Sequence, residues 1–242
     1  MISPLPFLTA EWRYLAMLNY EIDPDFLTPL VPNGTELDQW QGKTYMSMVG
    51  FQFLNTRVQG VFIPFHSNFE EVNLRFYVRR MTDDGWRRGV VFVKELVPRR
   101  AIAWTARLLY NENYVALPMG HQIEMANDGS VCKVEYSWKF NGRKDFLEIN
   151  TQGKAGETQE GSIEEFISEH YWGYTRQRDG GTVEYKVEHP RWQVSSARSG
   201  VFDCDVKSLY GEEFVKYLHK TPTSAFLANG SEVTVFKGVR IR

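Results

Sequence analysis

The stretch Phe69-Glu70-Glu71-Val72-Asn73-Leu74-Arg75-Phe76-Tyr77-Val78 constrains the fold more than any other. A β-strand turns successive side chains to opposite faces. At that period Val72, Leu74, Phe76 and Val78 share one face, and Glu71, Asn73, Arg75 and Tyr77 share the other. The first face is wholly apolar and belongs against a core. The second sets an acid, an amide, a guanidinium and a phenol in register. Two structures fit this pattern: an ordinary sheet with its polar side in water, or a barrel wall whose polar side looks into a ligand cavity.

A chain of 242 residues is long enough for one large domain or two small ones. Its 43% hydrophobic content supports a substantial core, and 14% aromatic residues favour strands, where flat rings pack across a pleated surface. With 28 Lys+Arg against 30 Asp+Glu, no global field draws in nucleic acid, while an anionic or neutral small ligand stays open. Cys132 and Cys204 lack metal or redox spacing and read as two buried reduced thiols, Cys132 on the apolar face of its strand. Met1–Phe7 has no basic leader, and no run of 18 apolar residues occurs. The expectation is a cytoplasmic protein with no membrane partner.

Read in order, Leu8–Tyr20 opens with mixed propensity and favours strand in its second half, and Asp23-Pro24 starts a short helix, with Asp as cap and Pro at the first position. Thr44–Phe53 is a strand in which Gly50 marks a bulge or a close backbone approach. Asn55–Phe65 reads as a loop. Asp83-Asp84-Gly85 makes a hairpin turn into a strand over Gly89–Leu96, and Ala101–Tyr110 favours helix narrowly over strand. Val131–Phe140 alternates strictly, Asn141-Gly142 closes it as a type I′ turn, and Asp145–Asn150 returns beside it. Thr151–Gly161 is a surface loop, and Ser162-Ile163-Glu164-Glu165 is a capping box opening a helix of about two or three turns toward Tyr171. Thr182–His189 alternates, Ser208–Lys220 reads as one helix, and Asn229-Gly230 turns into a last strand over Glu232–Ile241. No repeat, charge block or linker divides the chain. The sum is one domain over residues 1–242, mostly strand, with short helices around it.

Several landmarks occur in a telling order: Phe69-x-Glu71-x-Asn73-x-Arg75-x-Tyr77-Val78, Gly89-Val90-x-Phe92, Tyr136-Ser137-Trp138-x-Phe140-Asn141-Gly142-Arg143, Glu169-His170-Tyr171 and His189-Pro190-x-Trp192. Together they resemble the DUF2071, or YqjF-like, family over most of the chain. The resemblance implies the acetoacetate decarboxylase superfamily fold, a large curved antiparallel sheet closing into a barrel around an inner cavity. That enzyme forms a Schiff base through one lysine whose pKa a neighbouring lysine depresses. In the similar stretch here, Tyr114-Val115-Ala116-Leu117-Pro118-Met119-Gly120, Met119 stands where the reactive lysine would be and Gly120 where its neighbour would be. Glu21 stands where an arginine would meet the substrate carboxylate. The resemblance therefore carries the container and not the Schiff-base chemistry.

The candidate site is Glu71, Asn73 and Arg75, with Arg75 to hold an anionic or carbonyl group and Glu71 to orient it or act as general base. Phe69, Tyr77 and Met119 are candidate walls. His66 and His121 are candidate proton shuttles, though a lone histidine is more often structural. No metal-ligand spacing, phosphate-binding glycine loop or nucleophile elbow occurs in the sequence, so no metal or cofactor is expected. Three functions fit: binding of a small organic, carbonyl-bearing molecule; a lyase or isomerase using Glu71 and Arg75; and a homo-oligomeric interaction protein.

Overall fold

The computed structural model describes residues 6–99 and 113–241. The first part of the chain gives β1 (Pro6–Ile22), α1 (Pro24–Leu27), a 3-10 turn (Thr28–Leu30), β2 (Glu36–Leu37), β3 (Thr44–Val58) and β4 (Val61–Phe62). There follow β5 (Phe69–Thr82), β6 (Gly85–Val97), β7 (Tyr114–Ala116), β8 (Met119–Met125), β9 (Val131–Phe140) and β10 (Arg143–Thr151). The remainder is α2 (Ile163–Ser168), β11 (Trp172–Arg176), β12 (Thr182–Glu188), β13 (Val194–Asp203), α3 (Val206–Leu209), α4 (Glu212–Leu218), β14 (Ser224–Phe236) and β15 (Val239–Ile241).

One sheet contains all the strands. The path β12-β11-β6-β5-β3-β1-β14 returns on itself because β12 also pairs with β14, at Val187↔Val235 and Glu188↔Thr234. From this partial ring the sheet runs on as β13-β10-β9-β8. Pairing is mostly antiparallel, as expected, while β6 runs parallel to both β7 and β11, so the sheet is mixed. The reason is local: β11 enters after α2 and meets β6 only at Trp172↔Gly89 and Gly173↔Val90. Gly89 permits that approach, since a Cβ there would stand 2.6 Å from a ring carbon of Tyr174.

Alternation divides the apolar residues into two clusters. Val72, Leu74, Phe76 and Val78 of β5 join Leu18, Met48, Tyr136, Trp138, Leu147 and Ile149 in one, outside the ring and beneath the β13-β10-β9-β8 arm. Leu15, Val49, Phe51, Phe53, Phe69 and Val90 belong to the other, inside the ring. Gly50 on β3 lets the arm close onto the ring, because a Cβ there would lie 2.6 Å from Cδ2 of Tyr136.

Bulges adjust which face a residue joins. In β1 the step from Arg13 to Ala16 spans only Gln52 to Gly50 of β3, and Tyr14 takes up the slack at φ 55°. In β6, Leu74 of β5 faces Lys94 while Arg75 faces Phe92, so Val93 is an extra residue. The alternation therefore slips phase there, and Glu95, Phe92 and Val90 all face inward.

Several expectations stand. Asp23 caps α1 and accepts from the Asp25 N–H at 2.9 Å, and β9 spans Val131–Phe140 with Asn141 and Gly142 both at positive φ after it. Ser162 caps α2, accepting from the Glu165 N–H at 3.2 Å, while the Glu165 carboxylate reaches back to the Gly161 N–H instead of to the cap itself. Others are corrected. β1 is strand along its whole length, and Asn55–Val58 continues β3 into a tight β3–β4 hairpin, with Gln59 and Gly60 at positive φ, where a loop was expected. α2 ends at Ser168. The Ser208–Lys220 helix is two, α3 and α4, broken at Gly211 with φ 118°. Asn229-Gly230 lies inside β14, where Gly230 fits a close approach to β1, so β14 begins earlier than expected. Cys204 is buried, whereas Cys132 is half-exposed. The reading of Ala101–Tyr110 lies outside the described residues. No described helix is long and apolar enough to cross a membrane.

Candidate functional site

Inside the ring lies a cavity of about 400 Å³, open at one side. β1, β3, β5, β6, β11 and β12 supply most of its wall. β5 is buried on both faces, so its polar face looks into this cavity rather than to water: Glu71 is 3% exposed, Asn73 1% and Arg75 9%. Phe69 continues the same face and stacks on Phe53, ring centroids 4.6 Å apart. Phe51 and Trp12 meet edge to face beside them, at 5.3 Å.

The polar groups divide along the strand. The Asn73 amide donates to Oε1 of Glu71 at 2.9 Å, and the Tyr114 hydroxyl donates to Oε2 at 3.3 Å. Glu95, opposite Asn73, lines the same region. Glu71 and Arg75 stand four residues apart, roughly 13 Å along an extended strand, and they form no ion pair. Among the described residues Arg75 instead makes a single long hydrogen bond, Nη2 to the Ile167 carbonyl at 3.5 Å, and its Cζ lies 5.7 Å from the Tyr77 ring centroid. Its Nε is buried without a partner among the described residues. A guanidinium held this way is desolvated with little in return.

His170 lies beside it, its ring 4.7 Å from that of Tyr77. Nε2 is 3.1 Å from Oδ2 of Asp38, which also accepts from Arg88 Nε at 2.7 Å. Burial raises the Asp38 carboxyl, but the hydrogen bonds from His170 and Arg88 outweigh it and hold the pKa below the usual value. A carboxylate only accepts, so Nε2 carries the proton and Nδ1 is left as a buried acceptor without a partner among the described residues. Burial pushes the imidazole pKa down to about 4, the charges of Arg88 and Arg75 adding to it and Asp38 opposing.

Buried polar atoms that make no hydrogen bond with a described residue gather on this wall: Trp12 Nε1, Thr56 Oγ1, Asn73 Oδ1, Arg75 Nε and His170 Nδ1. Such atoms are rare in folded proteins, and their concentration around one space makes it the candidate site.

The other candidate residues separate. His66 lines the cavity near its opening, with Nδ1 2.9 Å from the Pro64 carbonyl. Tyr77 is not on the wall. It lies beneath it, its hydroxyl 2.6 Å from Ser47 Oγ. Met119 is not on the wall either: β8 ends the outer arm, and Met119 packs half-buried on the outer cluster opposite Trp138. Gly120 shares that strand, and Glu21 is on the surface, paired with Lys43 at 2.7 Å. His121 is exposed and pairs with Glu70 at 2.6 Å. Sequence reasoning missed Asp38, Glu95, Tyr114 and His170. The Glu169-His170-Tyr171 landmark pointed to His170 but gave it no role, and the phase slip in β6 hid the orientation of Glu95. No group of three or more potential metal ligands occurs among the described residues.

This architecture defines a class. The chain has the acetoacetate decarboxylase-like fold: it superposes on acetoacetate decarboxylase from Legionella pneumophila with a TM-score of 0.66 at 11% identity, covering 98% of this chain and 87% of that one. The enduracididine biosynthesis enzyme MppR, solved in complex with pyruvate, gives 0.67 at 12% identity over 99% of this chain and 91% of that one. An acetoacetate decarboxylase-like enzyme from Sphingomonas wittichii RW1 gives 0.65 at 13%, over 97% and 92%. Within that class the chain belongs to the DUF2071 family of uncharacterized conserved proteins, whose model matches residues 9–232. The uncharacterized protein YqjF of Bacillus subtilis is 26% identical over 207 residues, 83% of this chain and 80% of its own length.

Proposed function

We propose that the protein binds a small organic molecule inside the ring, with an anionic or carbonyl oxygen of that molecule on Arg75. The observation that carries this reading is the Arg75 guanidinium, 9% exposed and, among the described residues, hydrogen-bonded only at 3.5 Å to a carbonyl. A carboxylate or carbonyl oxygen would supply the acceptors it lacks. The bound pyruvate in the MppR structure is in keeping with a keto-acid-sized head group in this fold. No lysine is among the described residues that line the cavity, and neither Met119 nor Gly120 lines it, so the proposal includes no Schiff base.

The reading is tested by native mass spectrometry of the protein as purified, and again after incubation with a panel of small carboxylates and ketones. A retained adduct lost in Arg75→Met, with the fold intact by circular dichroism, is the expected result. Unchanged adducts in Arg75→Met would falsify the site. One further reading has an observation of its own, the Glu71 carboxylate buried beside the Tyr114 hydroxyl: a lyase or isomerase with Glu71 as base. In that case Glu71→Gln retains the adduct and abolishes turnover of it.

A further inference from the structure

The polarity of the cavity is inverted. A pocket opening to water usually has its polar groups at the rim, yet here Asn73 (1% exposed), Arg75 and His170 are at the closed end. The open side is mostly apolar: Ile63 is 43% exposed and lines the cavity, with half-buried Leu8, Val58 and the His66 imidazole beside it. Beyond Ile63 the same segment leaves Val61, Phe62 and Phe65 in solvent, Phe65 at 85% exposure and with φ 65°. Between mouth and guanidinium stand Phe51, Phe53 and Phe69, with Glu71 and Asn73 on the same face of β5 between Phe69 and Arg75, the Glu71 carboxylate accepting from Asn73 and Tyr114. The volume, about 400 Å³, is that of roughly a dozen waters and far exceeds a two- or three-carbon acid.

We propose that the occupant is a monocarboxylate with an extended apolar body, bound head-first. Its carboxylate lies on Arg75, and its hydrocarbon or aryl portion runs along Phe51, Phe53 and Phe69 to the mouth at Ile63. This rests on Arg75 as the anion site and adds the class of molecule and its direction. Charge alone would admit any small acid. The aromatic stretch from Phe69, Phe53 and Phe51 to Ile63 makes affinity depend on chain length, because each methylene removed from water contributes about fourfold in binding. It also puts the terminal carbons against residues whose substitution leaves the head group alone.

The test is a calorimetric titration of the full chain with acetate, butanoate, hexanoate, octanoate and the neutral octanamide. The same series is run on Arg75→Met and on Ile63→Asp, a change at an exposed position that spares the core. The expected result is a rise of about tenfold or more between butanoate and octanoate, with octanamide at least tenfold weaker than octanoate. Arg75→Met erases the difference between acid and amide but keeps the dependence on length. Ile63→Asp weakens octanoate and leaves butanoate unchanged. Equal affinity for acetate and octanoate overturns the extended body while leaving Arg75 as an anion site. Equal affinity for octanoate and octanamide in the unmodified protein overturns the anion site itself. Octanoate binding unaffected by Ile63→Asp overturns the direction, and no binding by any member of the series overturns the inference altogether.

Discussion

Leu74 and Arg75 are consecutive residues of one strand, and each stands for a region built on a different principle. Leu74 is wholly buried in the outer cluster, among Met48, Tyr136 and their neighbours, with no polar atom to satisfy. Arg75 is nearly as deeply buried, yet it borders open space and has little to bond with. The outer region gains stability from filling. The inner region gives some up, since desolvated groups such as Asn73 Oδ1 and His170 Nδ1 go without partners among the described residues. Close packing and underbonded polar groups are thus divided between the two faces of the same strand.

That division breaks down if the two faces respond alike to mutation. The largest effect is expected on the packed side: Leu74→Ala should cost about 2–5 kcal/mol in a urea titration, through lost burial and a residual cavity. Second, the inner side should carry a pH dependence. His170 has a folded pKa of about 4 against 6.5 unfolded. Below 6.5 the unfolded chain takes up a proton that the folded chain refuses, so stability falls from pH 6.5 to 4 and then levels. The linked loss is up to about 3 kcal/mol. Urea midpoints measured between pH 7.5 and 4 should show it, and His170→Gln should flatten that part of the curve. Third, Gly50→Ala should cost about 1–3 kcal/mol by forcing Tyr136 off the ring, an effect of the seam between the regions. Smallest, Arg75→Met should change stability by about 1 kcal/mol or less, because it exchanges an underbonded buried charge for an apolar chain of similar length. A loss as large as that of Leu74→Ala would mean that Arg75 is part of the framework.

The packed region was the legible one. Val131–Phe140 alternates without a break and is strand over that whole range, and β5 showed both its faces in the order of its residues. What alternation could not tell was whether the polar face met solvent or a cavity, because that depends on β11, β12 and β14 completing the ring far along the chain. His170 and Asp38, separated by 132 positions, meet only in the folded protein. Glycine misled twice for a physical reason. At positive φ it serves equally to break a helix, as at Gly211, to turn a hairpin, or to let a strand pass close to its neighbour, as at Gly230. Met119 was assigned to the wall by analogy with a neighbouring family, whereas β8 belongs to the outer arm.

The extra residue in β6 makes the gene unevenly tolerant of losing a codon. Val93 and Lys94 both lie on the outer side, Val93 packed on the cluster and Lys94 donating to the Leu209 carbonyl at the end of α3. Removing codon 93 would leave Lys94 opposite Leu74 and Phe92 opposite Arg75, the partners they already have, and would merely straighten the strand. Removing codon 91 would retain the bulge and turn everything from Gly85 to Val90 over, presenting Val90 to the outer cluster and emptying its place on the wall. Two deletions of equal size, two positions apart, thus differ as a trim differs from an inversion. A strand of this kind can change length in evolution at its bulge and hardly anywhere else.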